Sequence, residues 1–145
     1  MIFWDASAII PLCIDGSQSK VAKGILKKDS SMVVWWGSIV ECHSAFARLR
    51  RDNVLKHSEE DQVRDLLAIL ANAWTEVEPS GDIRDTASRL LLTHPLRAAD
   101  SLQLAAALVW ANKTPKGNHF VCLDRRLRDA ARKEGFILMP SAFPE

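Results

Sequence analysis

The chain has 145 residues, 48% of them hydrophobic and 26% charged, with a formal net charge of +1. That length suits one domain, 1–145, with a core of its own. So small a net charge creates no global field for nucleic acid or a membrane surface, so any basic surface has to be local.

Taken in order, residues 1–4 form a short apolar run that ends on a carboxylate, Asp5. A run this brief, met so early, reads as a buried strand. Small residues, Ala6, Ser7 and Ala8, and the apolar patch Ile9-Ile10-Pro11-Leu12 come next. Residues 17–28 read as a helix with Val21, Ile25 and Leu26 on one face and lysines around the rest. Residues 32–36 are a second strand, rich in β-formers and stopped by Gly37. Ser38 opens a helix in which Ile39, Cys42, Phe46 and Leu49 recur at helical spacing. Ser58-Glu59-Glu60-Asp61 is a helix start with acids in its first turn, and that helix runs on to Ala73. Residues 74–77 form a short strand, 82–92 a helix, and His94-Pro95 a break.

Residues 98–112 make the most apolar helix, expected to be buried against a sheet. Residues 119–123 are a strand that again runs into a carboxylate, Asp124. Residues 125–134 form a basic helix stopped by Gly135, and 136–139 a last strand. Strands alternating with helices predict an α/β fold, a three-layer α/β/α sandwich around a parallel sheet. No apolar run approaches the ~20 residues of a membrane span. The first residues lack the basic segment and cleavage site of a secretory signal. Three scattered cysteines, Cys13, Cys42 and Cys122, form no C-x-x-C pair, which suits core thiols in a reducing cytoplasm.

Four acids occupy comparable places. Asp5 and Asp124 follow strands, and Glu41 and Asp100 lie in first turns of helices. Each has an ordinary reading as a cap: Ser38-Ile39-Val40-Glu41 fits a capping box, Asp100 can cap its helix, and Asp5 and Asp124 can be N-caps. Together they have another reading, because parallel strands bring such positions to one sheet edge, where α/β proteins bind ligands. Two carboxylates ~5 Å apart repel by roughly 3 kcal/mol at an effective dielectric of ~20. Four therefore cluster as anions only around a cation, and all-oxygen ligation favours Mg²⁺ or Mn²⁺ over zinc. Such an ion suits phosphoryl chemistry.

At these residues the sequence resembles the PIN-domain ribonucleases, the single-domain kind found as toxins of type II toxin–antitoxin pairs (the VapC type). The matching segments are Ile2-Phe3-Trp4-Asp5-Ala6-Ser7-Ala8, Ser38-Ile39-Val40-Glu41, the stretch from Arg97 through Asp100 to Ala107, and Phe120-Val121-Cys122-Leu123-Asp124-Arg125-Arg126-Leu127. They stand in the family's order and span nearly the whole chain. The resemblance implies a Rossmann-like sandwich, with Asp5, Glu41, Asp100 and Asp124 as the catalytic, Mg²⁺- or Mn²⁺-binding acids. It implies RNA cleavage by metal-activated water, a homodimer, and an antitoxin partner that blocks the site. Ser7 is implied as a supporting hydroxyl beside Asp5. Where the family usually has Thr, two residues before the last acid, this chain has Cys122, a weaker hydrogen-bond partner.

RNA has to approach a negative pocket, so a positive rim is expected. Arg48, Arg51, Arg125 and Arg126 are the candidates for phosphate contacts, and Arg97 is a candidate neutraliser of an acid. Trp4, Trp35 and Trp110 read as core, whereas Trp36 and Trp74 are freer to meet a base or a partner. Two other functions compete. A phospho-acceptor signalling domain also builds an acidic Mg²⁺ pocket, but it needs an acidic pair after the first strand, where Asp5 stands alone, and a late Lys, where Arg125 stands. A catalytically silent binding module has no reason to keep four mutually repelling acids.

Overall fold

The computed structural model describes residues 1–144. Five strands form one sheet: β1 (Ile2–Trp4), β2 (Met32–Trp35), β3 (Thr75–Val77), β4 (His119–Val121) and β5 (Ile137–Met139). Their order is β3-β2-β1-β4-β5, and every pairing is parallel. Parallel neighbours need long crossovers, and helices supply them: α1 (Ala6–Cys13), α2 (Ser19–Lys28), α3 (Ser38–Arg51), α4 (His57–Ala73), α5 (Gly81–Thr93), α6 (Ala98–Trp110) and α7 (Arg125–Glu134). This is the predicted α/β sandwich around a parallel sheet.

The alternation of side chains along a strand divides the core in two. Trp4, Val34 and Val121 point to one face, where they pack with residues of α1, α2, α3 and α4 such as Ile9, Ile25, Phe46 and Leu67. Phe3, Val33 and Phe120 point to the other, against Leu90 of α5, Leu104 of α6 and Leu127 of α7. β1 is central, with Phe3 opposite Val33 on one side and Phe120 on the other. The chain winds outward from β1 through β2 to β3, then returns to place β4 and β5 on the opposite side. The sheet therefore reverses direction of winding beside β1, and the crevice at its carboxyl edge opens there.

Three local features differ from the sequence reading. The stretch after Asp5 is helical: α1 starts at Ala6, with Asp5 as N-cap accepting from the Ser7 amide. Pro11 lies inside this helix and has no N–H to give to the preceding turn. Second, the capping box at Ser38 does not form. Gly37 is the N-cap of α3 and makes no side-chain cap bond, which leaves Ser38 and Glu41 to other partners. Third, Trp74 is buried at 8% exposure, and its indole N–H donates to Glu76 at 3.1 Å. Trp36 is the freer one, 52% exposed just beyond the end of β2. At the end of α7, Gly135 takes φ 113°, the left-handed turn expected of it.

Candidate active site

The carboxyl edge of the sheet opens into a cleft of about 680 Å³, and Asp5, Glu41, Asp100 and Asp124 all line it. Each arrives by a different route. Asp5 ends β1 and is 4% exposed. Its Oδ2 accepts from the Ser7 amide at 3.1 Å and from the Ser7 hydroxyl. That hydroxyl in turn accepts from the Leu123 amide at 2.9 Å. The relay from Leu123 through Ser7 to Asp5 ties the end of β4 to the end of β1. Ser7 thus touches Asp5, as the family resemblance implies.

Asp124 is the N-cap of α7, where its Oδ1 accepts from the Leu127 amide at 2.9 Å. Cys122, in the place of the usual Thr, does not orient Asp124 through its carboxylate. Its buried thiol donates toward Asp5 Oδ2 at 3.5 Å, and its sulfur lies 3.4 Å from the Asp124 amide. Burial drives that thiol well above the ordinary thiol range, so it stays a neutral donor. Glu41 lies in the first turn of α3 and Asp100 in that of α6. Asp100 is not the cap of α6. It occupies the third helical position, and its Oδ2 accepts from the Arg97 amide at 3.4 Å.

Burial is the largest influence on three of these acids, and it disfavours the anion. Asp5 is pushed up to about 6, against the pull of its Ser7 bonds and with a further push from the charge of Asp100. Glu41 is pushed up to about 7, with Gln103 opposing and Asp5 and Asp100 adding to the rise. Asp100 is raised by burial and then by Asp124, while Arg97 and Arg126 draw it down. The four groups therefore share one electrostatic environment.

The donor set is all oxygen, the kind a hard divalent cation takes. Among the described residues, no three His, Cys, Asp or Glu groups stand close enough to hold one ion. Each acid has a protein donor: Asp5 the Ser7 hydroxyl, Glu41 the Gln103 amide, Asp100 the Arg97 amide and Asp124 the Leu127 amide. The residues fit such an ion in chemistry and in location, since four carboxylates line one cleft.

Of the four arginines expected at the rim, Arg48 and Arg126 line the cleft, as does Arg97. Arg51 does not. It borders a separate hollow with Asn53 and His57. Nor does Arg125, whose guanidinium lies over the Phe143 ring at 4.0 Å. One residue touching the acids escaped the sequence reading. Gln103 of α6, fully buried, donates through Nε2 to Ser38 Oγ at 2.7 Å and to Glu41 Oε2. The signal for it was a polar side chain among the leucines and alanines of an apolar helix, since a buried polar group is the informative exception.

No protein-family model matches the chain. Two curated proteins do: Ribonuclease VapC45 of Mycobacterium tuberculosis strain CDC 1551 / Oshkosh and Ribonuclease VapC49 of strain ATCC 25618 / H37Rv. Each is 28% identical over 142 residues, 97% of this chain and 96% of the relative. Solved structures share the fold at low identity. One is a toxin–antitoxin complex from Klebsiella pneumoniae, with TM-score 0.62, 13% identity and coverage of 87% of this chain and 88% of the other. Another is FitAcB from Neisseria gonorrhoeae, with TM-score 0.64, 14% identity and coverage of 91% and 94%. A third is VapBC2 from Rickettsia felis bound to a DNA fragment from their promoter, with TM-score 0.63, 12% identity and coverage of 95% and 97%. The chain is thus similar to VapC ribonucleases along almost its whole sequence and shares its fold with these solved structures.

Proposed function

We propose that this chain is a Mg²⁺- or Mn²⁺-dependent endoribonuclease, the toxin of a toxin–antitoxin pair. The observation that carries the reading is the meeting of Asp5, Glu41, Asp100 and Asp124, from four distant segments, in one cleft of a chain similar to VapC ribonucleases. In this reading those four carboxylates hold the ion. A bound divalent ion supplies Lewis-acid polarisation of the scissile phosphate and makes water a better nucleophile.

The protein's own residues do the rest. Arg48, Arg97 and Arg126 stand on the cleft wall, where their charges offset the phosphates that flank the reacting one. Ser7, itself fixed by the Leu123 amide, holds Asp5 in one orientation. The Leu127 amide does the same for Asp124. Water adds to phosphorus and gives up a proton, one bridging P–O bond breaks, and the ribose oxygen that leaves takes up a proton as a hydroxyl, so that one fragment keeps a phosphomonoester. The substrate chemistry favours single-stranded RNA, whose backbone can bend into a cleft. The same reading includes a homodimer, an antitoxin that covers the cleft, and action in the cytoplasm. In support of the antitoxin, one structural relative is a toxin–antitoxin complex and another is VapBC2 bound to a DNA fragment from their promoter.

The test is cleavage of a mixed single-stranded RNA by purified protein in EDTA, Mg²⁺ or Mn²⁺, beside folded Asp100→Asn. Cutting is expected only with metal and only by the unsubstituted chain. Cleavage by the folded variant, or undiminished cleavage in EDTA, overturns the proposal.

A further inference from the structure

Gln103 is fully buried in the middle of α6, where Leu104, Ala105, Ala106, Ala107 and Leu108 are buried beside it. Its amide nitrogen reaches across to α3, to Ser38 Oγ at 2.7 Å and to Glu41 Oε2. Its carbonyl oxygen Oε1 is buried with no hydrogen-bond partner among the described residues. A buried carbonyl without a donor costs stability. A Met side chain has nearly the same length and no polar atom to strand. The stranded oxygen is a cost that the two bonds made by the amide nitrogen have to offset.

The orientation of the amide follows from its partners. An ionised carboxylate can only accept, and an amide NH₂ carries two donors. Turning the amide over would give Oε1 the Ser38 hydroxyl as a donor, but would set carbonyl oxygen against carboxylate oxygen. The stranded Oε1 is thus the consequence of directing both N–H groups at the first turn of α3. Ser38 fixes one N–H, so the plane of the amide is set at two points and the other N–H is aimed at Glu41. Ser38 is itself fully buried, and is available for this because Gly37, not Ser38, caps α3.

We propose that Gln103, anchored by Ser38, is a positioning residue that clamps Oε2 of Glu41 and so presents the carboxylate to the cleft in one orientation. The proposal deepens the reading of Glu41 as a cation ligand, and its functional half rests on that reading. Outer-shell partners of ligating carboxylates govern metal affinity in this way.

Four versions of the whole chain test it: the unsubstituted protein, Gln103→Met, Ser38→Ala and the double variant. Mn²⁺ binding by calorimetry, thermal melting, and kcat and KM on RNA are read for each. Gln103→Met leaves the buried Ser38 hydroxyl without this partner and is expected to melt below the parent but remain folded, and in the folded state to bind Mn²⁺ about tenfold more weakly. Its kcat should fall while KM for RNA stays unchanged, because Gln103 lines no part of the cleft surface. Ser38→Ala should weaken Mn²⁺ binding less, and the double variant should be no worse than Gln103→Met, since both act through one amide. Gln103→Met with parental Mn²⁺ affinity overturns the proposal.

A separate readout needs no metal. The Gln103 side-chain NH₂ signals in ¹⁵N-resolved NMR are expected to be shifted and slow to exchange with water, and to move in Glu41→Gln. A fast-exchanging Gln103 amide, indifferent to Glu41→Gln, overturns the clamp whatever Mn²⁺ does. Failure of the unsubstituted protein to bind Mn²⁺, with the NMR signature intact, overturns the metal reading instead.

Discussion

Asp5→Asn is expected to stabilise the metal-free protein at pH 8 while abolishing its response to Mn²⁺. Asp5 is fully buried, and its carboxyl is pushed from 3.8 up to about 6, chiefly by loss of hydration. The folded value lies above the unfolded one, so the folded chain holds the proton more tightly. The stabilisation this brings is complete below about pH 4, fades as pH rises, and is gone above about pH 6. Two pKa units correspond to about 3 kcal/mol. At pH 8 the metal-free fold therefore carries a buried anion at roughly that cost relative to its neutral form.

Asn is neutral at every pH, and its side-chain oxygen can still accept from the Ser7 amide. Losing charge-assisted bonds from Ser7 takes back about 1 kcal/mol, which leaves a net gain of roughly 1–2 kcal/mol. For a chain of this size, that raises Tm by about 3–8 °C. Thermal and urea unfolding in EDTA at pH 8 and pH 5 measure it. The advantage of the variant should shrink toward zero at pH 5. Saturating Mn²⁺ should then raise the Tm of the unsubstituted chain alone, by about 2.7 kcal/mol of stability at one hundred times Kd. Lower stability of Asp5→Asn at pH 8 in EDTA, or an unsubstituted chain equally stable at pH 5 and pH 8, would refute the reasoning.

Ser7→Ala removes the hydroxyl that links the Leu123 amide to Asp5, strands that amide in the core, and should cost about 1–3 kcal/mol; denaturant unfolding reads it, and a neutral result would mean water restores the link. Arg48→Ala and Arg126→Ala should each weaken single-stranded RNA binding and lower the salt slope by about 0.7 per phosphate contact, whereas Arg51→Ala and Arg125→Ala should leave it unchanged. Fluorescence titrations over a salt series separate the two pairs, and equal slopes for all four would show that the cleft wall is not the phosphate track. Gly135→Ala forces an L residue to φ 113°, with its new Cβ 3.1 Å from the Pro115 ring, and should destabilise by more than about 1 kcal/mol; an unchanged melting curve would contradict that.

The strands and the larger helices were legible because burial leaves a period in the sequence. Trp4, Val34 and Val121 face one layer while Phe3, Val33 and Phe120 face the other, and such runs read as buried on both sides. α1 was hidden by Pro11, which signals a break although a helix can pass through it at the loss of one bond. Ser38-x-x-Glu41 satisfied a local capping pattern, but Gln103, 62 positions beyond Glu41, competes for both side chains and wins. Such competition is long-range and leaves no local mark. Two of the expected rim arginines stand outside the cleft lining because of helix geometry. Arg51 lies one turn beyond Arg48 along α3, away from the cleft, and Arg125 is rotated about 100° from Arg126 around α7. Neighbours in sequence thus face different surroundings.

The central place of β1 has a consequence for how the cleft forms. Asp5 and Cys122, in contact in the finished fold, are separated by 117 positions, and β1 gains its second neighbour only when β4 exists. Pairings this distant in the chain form slowly and late. Asp5, Glu41 and Asp100 all precede β4 in the chain, so the cleft they line is completed only when the segment from β4 onward docks on β1.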